Sequence, residues 1–170
     1  LRITELCADL TTFVSGRRLD DDGSVLLRLG DGTRGVLWAS QVAVGQENGL
    51  RIRVYGEEGS LDWLQEEPNT LVVRWLNKPI ELRRTGTPFV GKAAAASFRV
   101  PAGHPEGYLE AFANIYSNFA DALYKALAGN RVDETEFDYP NVRDGVRGMA
   151  FLDAVVRSNS SDEKWVKVPE

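Results

Sequence analysis

The sequence is poor in the residues that build covalent or metal frameworks. Among 170 residues there is one cysteine, Cys7, and one histidine, His104. A single cysteine forms no intrachain disulfide, which favours a reducing, cytoplasmic home. One histidine and one cysteine cannot supply a closed zinc site built from such ligands, so no metal is expected. No apolar run reaches the roughly 18 residues that a membrane helix needs. Nothing at the start reads as a signal peptide, so no membrane association is expected. Basic blocks are missing as well. The 20 Lys and Arg are outnumbered by 25 Asp and Glu, for a net charge of −5, and the densest basic pairs are Arg17-Arg18 and Arg83-Arg84. A nucleic-acid footprint is therefore not expected.

What is present is an ordinary globular balance, 43% hydrophobic and 26% charged. That is enough for a single domain over residues 1–170 with a sizeable core. The chain opens on Leu1, not Met, and enters an apolar, strand-like run at once. A cut inside a longer protein is the expectation.

The first two-thirds reads as strands. Apolar, β-branched or alternating runs cover Ile3–Val14, Ser24–Leu29, Arg34–Val44, Leu50–Tyr55, Ser60–Leu64 and Leu71–Leu76, with a further edge strand over Ile80–Arg84. Residues 86–97 read as a loop. The period then changes. Leu109, Phe112, Tyr116, Phe119, Leu123 and Leu127 fall three and four apart, which predicts a helix from Pro105 to Ala128, stopped by Gly129. A second helix is expected from Pro140 or Asn141 to about Arg157, with Val142, Val146, Met149, Leu152 and Val156 as its buried stripe. Gly145 and Gly148 would admit a close neighbour, and Lys164–Val168 would return as a short strand. Strands first and helices afterwards give an α+β fold: an open antiparallel β-sheet of about six strands with two main helices packed on one face. The other face carries Trp38, Trp63 and Trp75 in strands near Arg51, Arg53 and Arg74. Either the Trp residues are core and the Arg residues solvated, or the face is a subunit interface, where both are enriched.

Two motifs look like chemistry. Gly30-Asp31-Gly32-Thr33-Arg34-Gly35 matches G-x-G-x-x-G, but the residues that follow read as a strand. A dinucleotide loop needs a helix there to present free N–H groups to the phosphates, so a β-hairpin is expected. Lys78 in Asn77-Lys78-Pro79 reads as an exposed turn lysine. The lone His104 stands just before the long helix, beside Glu106 and Tyr108. An imidazole can donate one hydrogen bond and accept another, which suits a hydroxyl-rich ligand. A capping histidine without a ligand is the alternative.

The stretch G-H-P-E-G-Y-L-E-A-F-A-N-I-Y resembles the C-terminal domain of the Gfo/Idh/MocA oxidoreductases. Other segments agree in order and spacing: L-G-D-G-T-R-G-V-L-W-A-S-Q, R-I-R-V-Y-G-E-E-G-S-L-D-W, Q-E-E-P-N-T-L, Y-P-N-V-R-D-G-V-R-G-M-A-F-L-D-A-V-V-R-S and a final W-V-K-V. The resemblance implies an enzyme that moves hydride between a sugar or polyol substrate and NAD or NADP. Its dinucleotide fingerprint, E-K-P lysine and D-x-x-x-H motif belong to an N-terminal Rossmann domain that this sequence lacks. Asn77-Lys78-Pro79 lies in the wrong half, and Val100, not an acid, stands four residues before His104. No catalytic or cofactor-binding residue is carried over, and the chain alone is expected to be inactive. The resemblance instead implies substrate binding by Gln46, Asn48, His104, Glu106 and Tyr108, and a homo-oligomer, dimer or tetramer, formed through the open sheet face. A stand-alone, non-catalytic α+β binding or assembly module is the alternative.

Overall fold

The computed structural model describes residues 2–133 and 137–169; Leu1 lies outside them. In chain order the elements are β1 (Ile3–Thr11), β2 (Asp22–Leu29), β3 (Arg34–Ser40), β4 (Arg51–Tyr55), β5 (Gly59–Leu64), β6 (Thr70–Trp75), β7 (Glu81–Arg84), α1 (Lys92–Ala95), α2 (Tyr108–Leu127), α3 (Val142–Ser160) and β8 (Val166–Lys167). The fold is α+β with antiparallel pairing throughout, as the patterning predicts. The strands fall into two sheets of four, ordered β3-β2-β1-β8 and β4-β5-β6-β7. The chain divides into two compact units, Leu1–Gly45 with Pro140–Glu170, and Gln46–Tyr139.

In the first unit, alternation along β1 turns Leu6 and Ala8 inward, opposite Leu27 and Val25 of β2. Helix α3 lies on β1 and closes this core with Ala154 and Val155, with Phe151 and Val166 packed at its margin. Asn141 caps the helix by accepting from the Arg143 and Asp144 N–H groups at 2.8 and 3.3 Å, and Asp144 accepts in return from the Asn141 N–H at 2.9 Å. The short β8 pairs only with Glu5 and Leu6. Beyond it the edge of β1 is completed by side chains: the Ala8 N–H donates to Ser158 Oγ and the Leu10 N–H to Asn159 Oδ1, each at 2.9 Å. Two helix side chains thus replace the missing strand and leave no bare edge there.

The expected buried stripe of α3 is overturned. Val142, Val146, Met149, Leu152 and Val156 are 54–81% exposed, while Ala154, Val155 and Ser158 are buried. At about 100° per residue the two sets lie on nearly opposite sides of the helix. The side that carries Phe151, Ala154, Val155 and Ser158 faces the sheet, where Ala154 and Val155 close over Leu6, Ala8 and Val25. Nor would a Cβ at Gly145 or Gly148 meet any described group beyond its own stretch of helix within 4 Å. The β2–β3 turn is the hairpin expected of the G-x-G-x-x-G match. Leu29 N–H donates to Thr33 O at 3.0 Å, Asp31 accepts from the Thr33 N–H, and Gly32 takes φ +91°, a conformation that costs glycine least.

The second unit is a four-stranded meander followed by α1 and α2. Its register sorts the Trp and Arg residues onto opposite faces. Ile52 pairs with Trp63 and Trp63 with Leu71, whereas Arg53 pairs with Asp62 and Ser60 with Arg74. Trp63 and Trp75 are half-buried, and their Nε1 groups donate to Pro68 O at 3.0 Å and Glu81 at 2.7 Å. On the other face, Asp62 accepts from Arg51 twice, at 2.8 and 2.6 Å, and from Arg74 at 3.1 Å. The Arg51 pair, aided by Arg74, holds the Asp62 carboxyl at about 2, below its ordinary 3.8. A depressed carboxyl stabilises the fold above its ordinary value and loses that contribution as the pH falls through the folded value. Asp62→Asn is therefore expected to flatten the loss of stability between pH 4 and pH 2. Urea midpoints measured across that window should converge for the variant and the parent as the pH falls; parallel curves would refute this.

Candidate functional site

The start of α2 is built on a turn of the second sheet. Between β5 and β6 the chain reverses over residues 65–69. The Asn69 side chain donates to Glu106 O at 2.8 Å and accepts from the Glu106 N–H at 3.2 Å and from the Thr85 hydroxyl at 3.0 Å. This reciprocal pair holds residues 105–107 outside the helix, so α2 starts at Tyr108 and Pro105 precedes it. The Gly107 N–H donates to the Glu110 carboxylate at 2.8 Å, and that bond, first among its causes, holds Glu110 below its ordinary range. His104 therefore is not the cap. Opposite, Gly86 at φ +74° lies so close to the Pro101–Ala102 backbone that no Cβ would fit, which closes the post-β7 loop onto the same segment.

The five residues singled out in the sequence separate into two kinds. Glu106 is committed internally: its carboxylate accepts from the Arg99 and Val100 N–H groups at 2.7 and 3.3 Å and faces the Arg99 guanidinium at 3.6 Å. The other four are exposed. His104 Nδ1 lies 3.3 Å from Pro101 O. Its Nε2 and the Tyr108 hydroxyl have no partner among the described residues. The Tyr108 ring packs against Phe112 at 4.9 Å between centroids. Gln46 and Asn48 stand in the turn before β4. There the Asn48 carbonyl accepts from the Leu50 N–H at 2.7 Å and from Gln65 Nε2 at 3.3 Å. Both groups thus attach to the 65–69 turn, Asn48 through Gln65 and Glu106 through Asn69. No hydrogen bond joins the two groups directly among the described residues.

Beside the α2 start is a cavity of about 460 Å³, lined by Trp63, Leu71, Phe89, Phe98, Ala111 and Asn114 among others. Of the five residues only Glu106 reaches its wall. Asn114 bridges Ser97 O and the Arg99 guanidinium, and the one-turn α1 forms part of the lining where the sequence pattern reads as loop. The roles of Asn69 and Asn114, and the Arg99 contact to Asn114, are invisible in the sequence, because each depends on a partner 15 or more residues away. Lys78 sits in a turn with its ammonium 4.9 Å from the Trp75 ring. No group of three His, Cys, Asp or Glu side chains among the described residues could hold a metal ion. The Gly30–Gly35 turn does not fit a dinucleotide, since β3 follows it where a helix N-terminus is needed.

Residues 5–168 match the family described as "Oxidoreductase family, C-terminal alpha/beta domain". The chain belongs to that family, the Gfo/Idh/MocA oxidoreductases. It is 34% identical over 171 residues to an uncharacterized oxidoreductase, YfiI, of Bacillus subtilis, covering 98% of this chain and 43% of that protein. An oxidoreductase from Sinorhizobium meliloti has a solved structure 47% identical, with a TM-score of 0.88, over 98% of this chain and 47% of that one. An inositol dehydrogenase homolog from Azotobacter vinelandii, solved with NADH and myo-inositol, is 32% identical with a TM-score of 0.91, over 98% of this chain and 44% of that one. The chain thus spans less than half the length of each of these relatives. Among the described residues no helix is long and apolar enough to cross a membrane.

Proposed function

We propose that this chain is the C-terminal, substrate-binding and oligomerisation half of a cytoplasmic NAD(P)-dependent oxidoreductase acting on a sugar or polyol. The observation that carries the reading is the α2 start. There His104 and Tyr108 offer unpartnered polar atoms on a segment that Asn69 fixes rigidly, and Gln46 and Asn48 flank the same turn. Hydroxyl recognition needs just such donors and acceptors on an ordered frame. The likeness to a relative solved with NADH and myo-inositol supports the substrate class. The reaction class is hydride exchange between a hydroxyl-bearing carbon and a nicotinamide. This chain contributes binding and orientation to it, and no group that forms or breaks a bond.

The test uses the full-length enzyme with myo-inositol and related polyols, and with NAD and NADP in turn. Each lost hydrogen bond is worth about 0.5–1.5 kcal/mol, so His104→Ala and Gln46→Ala should each raise KM by about two- to tenfold with kcat little changed. The isolated 170-residue chain should turn nothing over. Unchanged KM in both variants would remove the α2 start from the substrate site, and turnover by the isolated chain would overturn the assignment of chemistry to the other half.

A further inference from the structure

The face of the second sheet that carries Asp62 holds more arginine than its acid can answer. Alternation along the strands places Arg51, Arg53 and Tyr55 of β4, Ser60 and Asp62 of β5 and Arg74 of β6 on it. The registers set Arg53 opposite Asp62, and Ser60 between Tyr55 and Arg74. The Asp62 side chain is 9% exposed, and its two oxygens are taken by Arg51 and Arg74. One arginine would balance that charge. Arg53 is exposed, and its side chain makes no ion pair or hydrogen bond among the described residues. Arg51 Nη1, Arg74 Nη2 and the Tyr55 and Ser60 hydroxyls are likewise unused among them. A hollow of about 200 Å³ opens between these side chains, with Asp62 as its only acid among the described residues. Three guanidiniums thus face one carboxylate, which leaves two positive charges unanswered.

We propose that this hollow binds a phosphate group, free or carried on a small organic molecule. The site stands apart from the α2 start and does not depend on the function proposed there. The excess charge matches the roughly −1.5 to −2 that a phosphate monoester carries near pH 7. Donors enter the hollow from three strands, so they meet several oxygens of a tetrahedral group at once. A carboxylate, planar and singly charged, would leave one guanidinium unanswered. Arginine forks also suit phosphate because they bind it through two parallel N–H groups. Asp62 holds the Arg51 and Arg74 forks in place beforehand, so binding does not have to order them. At about 30 Å³ per water the hollow has the room of roughly seven waters, enough for a phosphate group on a short stem. A chain of net charge −5 without basic blocks offers no track for a nucleic acid. In an empty hollow the guanidiniums repel one another, as like charges on neighbouring strands do, and a bound dianion removes that repulsion.

The experiment is equilibrium dialysis of the full-length enzyme, saturated with its nicotinamide cofactor, against radiolabelled inorganic phosphate and, separately, glucose 6-phosphate. Sodium chloride holds the ionic strength constant. The parent is compared with Arg53→Gln, Tyr55→Phe and, away from the hollow, Arg18→Gln. All three positions are exposed, so the variants keep the fold. Arg53→Gln should weaken phosphate binding by about tenfold or more, the loss expected for hydrogen bonds to a charged group. Tyr55→Phe should weaken it by about threefold, and Arg18→Gln should stay within about twofold of the parent. Tighter binding of glucose 6-phosphate than of inorganic phosphate, lost with Arg53→Gln, identifies the ligand as a phosphate ester. Equal or weaker binding, lost in the same way, identifies it as the free anion. A parent that takes up neither compound, an Arg53→Gln variant that binds like the parent, or an Arg18→Gln variant that loses as much would overturn the site.

Discussion

Leu6→Ala is expected to lower the free energy of unfolding by about 2–5 kcal/mol, the range for removing a large aliphatic side chain from a closed core. Leu6 is 0% exposed and, among the described residues, the largest side chain so fully enclosed. It lies between Leu27 on one side and Val166 on the other, and under Ala154 and Val155. The other buried members of that core are alanine and valine, short side chains that fill little of the space left behind. Urea denaturation followed by far-ultraviolet circular dichroism measures the effect. Leu19→Ala, at a residue 77% exposed, is the control and should stay within about 0.5 kcal/mol. A Leu6 variant as stable as that control would mean that the first unit does not depend on this core.

Ser158→Ala is the second large effect, expected at about 1–3 kcal/mol, the cost of leaving a buried polar group without a partner. The hydroxyl, 0% exposed, accepts from the Ala8 N–H and donates to Lys164 O at 2.6 Å. One atom thus ties β1 to α3 and to the chain leading into β8. Removing it strands a strand N–H that no water can reach. Asn159→Ala removes the equivalent bond to Leu10, but at a half-buried site where water can substitute, so its cost should be clearly smaller. Equal costs for the two would refute the edge-replacement role given to Ser158.

The contrast between these two predictions shows how far the sequence reaches. Alternation along β1 and β2 is enough to mark Leu6 and Val25 as inward-facing, because side-chain direction in a strand has a period of two and needs no partner to define it. Asp31-Gly32 marks the hairpin for a similar reason, since its chemistry is local to four residues. Ser158 carries no such mark. It is a polar residue near a helix end, and only the arrest of β8 after two residues makes it the partner of Ala8, 150 positions away.

Helix α3 shows the same limit. It carries two apolar sides, one of Val142, Val146, Met149, Leu152 and Val156 and one of Phe151, Ala154 and Val155. A period of 3.6 defines each side equally well. What selects the second is its packing on Leu6, Ala8 and Val25, a property of the assembled core. The Trp and Arg residues of the second sheet are decided in the same way. Their order in the sequence brings them close, and the register of β4 on β5 puts them on opposite faces.

At the candidate site, the sequence by itself determined that His104, Glu106 and Tyr108 cluster before a helix, and that Gln46 and Asn48 occupy a turn, because neighbours in sequence stay neighbours in space. It determined as well the α+β class and the antiparallel pairing, which follow from periodicity and turn chemistry. Only the tertiary structure decided that both segments meet the 65–69 turn, that Asn69 rather than a histidine sets where α2 begins, and that Glu106 is held by Arg99 and Val100 and not left for a ligand. The first two outcomes rest on hydrogen bonds between residues 17 and 37 positions apart, and the third on the way residues 99–106 fold back beside α2. Their geometry exists only once the strands have fixed their register.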